Sequence, residues 1–135
     1  MMHERWMYEP IARLFRSLGY TVLVDSYRVF FWLGSRPDIV AVKGSEVVVV
    51  EAKRKLVINR RLMYQLFRYA NFADRVYIAV PRNYSLDPWK LIPLVFKGFG
   101  LIRVDREAEI VIEAKKIGPQ VEALKKVLVR VVKER

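Results

Sequence analysis

Two acids and a lysine carry the chemistry this chain could do. Asp38 closes the tripeptide Arg36-Pro37-Asp38, and thirteen positions later Glu51 opens Glu51-Ala52-Lys53. Between them lie an apolar run from Ile39 to Val42, the segment Lys43-Gly44-Ser45, and Glu46 followed by four valines. A Gly-Ser pair between two apolar runs signals a two-residue type II′ hairpin. That turn pairs Lys43 with Glu46 and Val42 with Val47, and the ladder carried outward sets Asp38 opposite Glu51. Directly opposed residues hold their Cβ atoms roughly 4.5–5.5 Å apart on one face. Two carboxylates so placed on an apolar strand are costly unless positive charge sits between them. Lys53 lies two residues beyond Glu51, so strand alternation returns it to the same face.

A divalent cation bridging Asp38 and Glu51, with Lys53 beside it, resolves that repulsion. Magnesium takes only one or two carboxylates and keeps several waters. Such an ion lowers the pKa of a bound water and stabilises charge on a phosphate in flight. Lys53 would orient the water or neutralise the developing charge. The plainer alternative is a cross-strand salt bridge with no metal, because structural ion-pair networks also gather charge. A slip of one residue in register would send Glu51 to the other face and remove the site.

Composition narrows the chemistry further. The chain has no cysteine, and His3 is its only histidine, so disulfides, Cys-ligated zinc and a His-based triad are excluded. A metal must be held by oxygen, which selects Mg2+ or Mn2+. The formal charge of +11 makes a polyanion, and nucleic acid first, the expected partner. A surface charged only for solubility is the competing explanation. No apolar run is long enough to span a bilayer, and Met-Met-His-Glu-Arg is no secretory signal, so the expectation is a cytoplasmic protein with no membrane partner.

The elements that must position these residues read as alternating helices and strands. Met7, Ile11, Leu14, Phe15 and Leu18 keep helical spacing up to a stop at Gly19, and Pro10 is compatible if the helix starts there or if an earlier turn is irregular. Residues 20–24, 29–33, 38–42, 46–52 and 75–80 read as strands, the valine run as a central one covered on both faces. A helix is expected over 59–71, with Leu62, Leu66 and Tyr69 on one stripe, and a short one from Asp87-Pro88 to Val95. Residues 101–104 and 110–113 read as a further hairpin. Pro119 then opens a terminal helix with Val121, Leu124, Val127, Leu128 and Val131 inside and Lys125, Lys126, Arg130 and Lys133 outside. With no linker or repeat, the expectation is a single α/β domain over 1–135, its helices flanking a mixed sheet.

Arg36-Pro37-Asp38 followed by Glu51-Ala52-Lys53 resembles the PD-(D/E)XK motif of the restriction-endonuclease-like nucleases, which include archaeal Holliday-junction resolvases and RecB-like nuclease domains. The flanking helix into Gly19-Tyr20 and the valine run agree, and Gln65-Leu66-Phe67-Arg68-Tyr69 is similar to the Gln-x-x-x-Tyr helix of RecB-type members. The likeness covers about residues 4–81. It implies a restriction-endonuclease-like three-layer sandwich with Asp38 and Glu51 as metal ligands, the Ala52 carbonyl as a third, and Lys53 as the catalytic lysine. Gln65 and Tyr69, one helical turn apart, would face the same site, against the plainer reading of a packing tyrosine and a surface amide. Members often add a glutamate from the first helix. Glu9 is in the more family-like place and is chosen here, although on an unbroken helix Glu4 lies along the apolar stripe and Glu9 does not. Glu113-Ala114-Lys115 repeats the tripeptide without a partner acid at hairpin register and reads as the end of an exposed strand.

Substrate would be held by the stretch leaving the site. Lys53, Arg54, Lys55, Arg60, Arg61, Arg68 and Arg75 face a single acid, Asp74, and make a phosphate-contacting rim if they are more than a solvated helix face. Tyr27, Arg28, Phe30, Phe31 and Trp32 could stack on bases, though aromatic residues near strands more often pack in a core. The expectation is a Mg2+- or Mn2+-dependent nuclease, endonucleolytic and acting on DNA before RNA. The alternatives are an inactive nucleic-acid-binding module on the same fold and a basic structural protein. Two cuts on a duplex need two sites, so the resemblance also admits a homodimer.

Overall fold

A computed structural model of the chain describes residues 4–25 and 36–134. A short 3-10 turn, Arg5–Met7, leads into helix α1 (Tyr8–Ser17), followed by β1 (Thr21–Val24), β2 (Ile39–Lys43) and β3 (Glu46–Ala52). Then come α2 (Arg60–Tyr69), β4 (Arg75–Pro81), α3 (Pro88–Phe96), β5 (Gly100–Val104), β6 (Ala108–Ile112) and α4 (Glu122–Lys133). The six strands form one sheet in sequence order. It is mixed: β3, β4 and β5 run parallel, while the β1–β2, β2–β3 and β5–β6 pairs are antiparallel.

The valine run shows why β3 is central. Val47 to Val50 are all buried, and they divide between two cores by alternation. Val47 and Val49 pack with Leu62, Leu66 and Tyr69 of α2 and with Leu128 and Val132 of α4. Val48 and Val50 pack with Met7, Ile11 and Phe15 at the other face. Each buried valine contributes roughly 1.5 kcal/mol or more of apolar transfer energy, so both faces hold the strand in place. Helices on the two faces make a helix–sheet–helix stack. Among the described residues no helix is long and apolar enough to cross a membrane.

The hairpin has the expected register. Gly44 adopts φ +61°, the positive value that a two-residue turn needs at its first central position. Lys43 pairs with Glu46, Val42 with Val47, and the series runs to Ile39 opposite Val50. Asn59 caps α2 by accepting a hydrogen bond from the Leu62 N–H at 2.9 Å, and Asp87 caps α3 by accepting from Trp89.

Of the two settings open to Pro10, the earlier start holds: it lies inside the first turn of α1, after the 3-10 turn, where its missing N–H would have no intrahelical partner. Two expectations are corrected. The terminal helix begins at Glu122 instead of Pro119, and its inner face is rotated: Lys125 is buried, whereas Val121 and Val127 are exposed. The cause is Asp74, a buried carboxylate whose Oδ2 accepts from the Val47 N–H at 2.7 Å and whose Oδ1 lies 3.2 Å from Lys125 Nζ. Turning the lysine inward neutralises an acid that would otherwise be buried without a counter-charge. The strand expected over 29–33 and the aromatic group from Tyr27 to Trp32 lie outside the described residues.

Candidate active site

Where β2 begins and β3 ends, the last rung of the hairpin is Ile39–Val50, and one step further sets Asp38 against Glu51. The Asp38 side chain takes over the ladder there. Its Oδ2 accepts the Ala52 N–H at 2.8 Å, while its own carbonyl accepts the Asp25 N–H at 2.8 Å, tying it to the end of β1. Its Oδ1 accepts from the Tyr8 hydroxyl at 2.7 Å. In an extended strand a residue's N–H and C=O leave on the same edge, so the Ala52 carbonyl also points toward Asp38.

Glu51 shares its face with Val47 and Val49, which brings it under α2. It is only 5 % exposed. The Tyr69 hydroxyl donates to its Oε1 at 2.7 Å and the Gln65 amide to its Oε2 at 3.2 Å, with a further bond from Gln65 to the Tyr69 oxygen at 3.2 Å. Helical spacing of four places both donors on one side of α2. Lys53 Nζ lies 3.4 Å from Glu51 Oε2. Glu51, Lys53, Gln65 and Tyr69 are therefore joined by direct contacts, and Asp38 lies close enough for its charge to bear on Glu51.

Its electrostatics are those of two acids pressed together. Burial, and then the neighbouring Asp38 charge, push the Glu51 carboxyl up from 4.5 to about 7, against the pull of Tyr69 and Lys53. Asp38 is also raised, by burial first, while the Ala52 N–H, the Tyr8 hydroxyl and Lys53 hold it down. The Tyr8 and Tyr69 phenols are raised by burial and by the carboxylates beside them, so both remain protonated donors at neutral pH.

The donor set suits a hard divalent cation. Two raised, mutually repelling carboxylates gain most from a positive ion, and every candidate ligand atom is oxygen. An ionised carboxylate accepts about four hydrogen bonds. The protein donors leave acceptor capacity on both acids. Among the described residues no group of three or more His, Cys, Asp and Glu forms a metal cluster. An ion here would take two carboxylates, with the Ala52 carbonyl and water completing its shell.

Other expected residues divide. Glu9 is not at this cluster: its side chain is 60 % exposed and faces Arg16 at 3.4 Å and Arg13 at 3.9 Å. The helix starts before Pro10, so Glu9 takes the outer face, as an unbroken helix dictates. Glu4 is nearer. Its charge adds to the upward pressure on Asp38, and its Oε2 accepts the Arg54 N–H at 3.3 Å. Lys55 and Arg61 line a cavity beside Lys53, and Arg54 and Arg60 are exposed. Arg68 is half-buried with its guanidinium 5.6 Å from the Tyr64 ring centre. Arg75 lies at the start of β4, against Glu46 at 3.7 Å, and belongs to no rim around the acids. Glu113 is exposed just past β6 and accepts from the Tyr77 hydroxyl at 3.1 Å.

Sequence reasoning missed Tyr8. It continues the buried stripe of Ile11 and Phe15 backward at helical spacing and lies one turn beyond Glu4, and that was the signal available. Comparison of the chain with family models, with characterised proteins and with solved structures finds no match.

Proposed function

We propose that this chain is a Mg2+- or Mn2+-dependent nuclease of the PD-(D/E)XK kind, cutting DNA endonucleolytically on a restriction-endonuclease-like sandwich. The observation that carries the reading is the convergence of Asp38 and Glu51 at one end of the hairpin, with the Lys53 ammonium 3.4 Å from Glu51. Asp38 and Glu51 would hold the ion, with Ala52 offering its carbonyl. When bound, the metal supplies an acidified water and charge stabilisation at the phosphate. Tyr69 and Gln65 hold the Glu51 carboxylate toward the site, and Tyr8 does the same for Asp38. Lys53 is one-third exposed, so its ammonium can reach a phosphate oxygen or the attacking water while staying beside Glu51. Glu4 replaces Glu9 as the acid that the N-terminal segment brings closest.

Incubation with labelled duplex and single-stranded DNA tests this. Cleavage should require Mn2+ or Mg2+ and vanish in Asp38→Ala, Glu51→Ala and Lys53→Ala. Cutting at the parent rate by all three variants removes the proposal.

A second reading, a nucleic-acid-binding module without turnover, is favoured by one fact: each oxygen of both acids already has a protein donor. Calorimetry separates the two, because Mn2+ binding that depends on Asp38 and Glu51 belongs only to the enzyme.

A further inference from the structure

Beside the acid cluster lies a cavity of about 320 Å³ whose walls bear three cations and no carboxylate. Lys53 and Lys55, two residues apart on the chain leaving β3, form one side. Arg61 and Gln65, one turn apart on α2, form the other, and Val57 and Leu62 supply apolar surface. Lys53 is paired with Glu51, but among the described residues Lys55 and Arg61 have no carboxylate partner. Gln65 connects the two spaces, because it lines the cavity and its amide donates to Glu51.

We propose that this cavity receives one unpaired nucleotide, the neighbour of the bond cut at the acid cluster, with its phosphate on Lys55 and Arg61 and its nucleoside against Val57 and Leu62. The inference rests on the nuclease reading and adds a substrate class to it: strands that can release a nucleotide from the stack, such as single strands, flaps and frayed ends. Size supports it, since small-molecule sites begin at roughly 300 Å³. That volume admits a nucleotide. Charge agrees as well. A phosphate would neutralise cations that lack an anion of their own, and four residues, about 6 Å of helix rise, separate Arg61 from Gln65, which touches Glu51. A small apolar patch at Val57 and Leu62 within a polar, cationic lining suits a nucleoside carrying a phosphate better than either part alone.

The test uses the full chain in EDTA, so that binding is read apart from metal and cleavage. Thymidine 5′-monophosphate, thymidine and inorganic phosphate are titrated separately while amide resonances of Val57, Asn59 and Leu62 are followed. The monophosphate should bind at least tenfold more tightly than either fragment. The double variant Lys55→Ala, Arg61→Ala, both exposed positions, should lose at least tenfold of that affinity with an unchanged circular dichroism spectrum. In competition, oligothymidylate should displace the monophosphate from the parent at lower concentration than a blunt duplex of equal length, and the variant should lose that preference. Phosphate binding as well as the monophosphate, or a variant with parent affinity, overturns the proposal. Absence of metal-dependent cutting by the parent chain, with monophosphate binding as expected, would defeat the nuclease reading alone.

Discussion

Replacing Glu51 by Gln should change the pH dependence of folding in a way that can be worked out beforehand. In the metal-free protein the Glu51 carboxyl is raised from 4.5 to about 7, first by burial and then by Asp38. The folded state thus holds this proton more tightly than the unfolded chain does. Stability falls as pH rises from about 4.5 to about 7, and the full penalty is present above that. At about 1.4 kcal/mol per pH unit the penalty is roughly 3 kcal/mol. Glutamine keeps an acceptor for the Tyr69 hydroxyl but turns an amide toward the Gln65 and Lys53 donors. That mismatch costs about 1 kcal/mol at any pH. The variant should therefore be the less stable protein at pH 4, by about 1 kcal/mol, and the more stable one at pH 8, by about 2 kcal/mol. The assay is urea denaturation in EDTA at four pH values. Saturating Mg2+ should remove the parent's deficit at pH 8 and leave the variant unmoved, because a ligand binding only the folded state stabilises it. Parallel stability curves for the two proteins across this range would refute the reasoning.

Two further outcomes are expected. Tyr8→Phe removes a hydrogen bond that holds Asp38 down, so the Asp38 carboxyl should titrate at higher pH, and Mn2+ binding measured by calorimetry should require a more alkaline buffer. Lys125→Met leaves Asp74 buried without its closest cation, Lys116 being farther away at 3.7 Å, and should cost about 3 kcal/mol of unfolding free energy in urea titration.

The hairpin and the acid cluster were legible in the sequence because their geometry is local. A two-residue turn and a period of two suffice to set Asp38, Glu51 and Lys53 on one face, and a period of 3.6 adds Gln65 and Tyr69. What escaped depended on distant partners. Nothing near Lys125 reveals that Asp74, fifty-one positions earlier, is buried beneath it, so its charge alone argued for the outside. Tyr8 reaches Asp38 across thirty positions. Glu9 was favoured by family-like placement, although periodicity already pointed to Glu4, and the helix follows periodicity because it begins ahead of Pro10.

The turn at Gly44-Ser45 also bears on how this protein can change over generations. A single inserted or deleted residue in either arm of the hairpin would carry one acid off its rung, whereas one added to each arm only moves the bend outward. Relatives that keep the chemistry should thus differ in the distance between the two acids by even numbers, making the parity of that count a genetic signature of the working site.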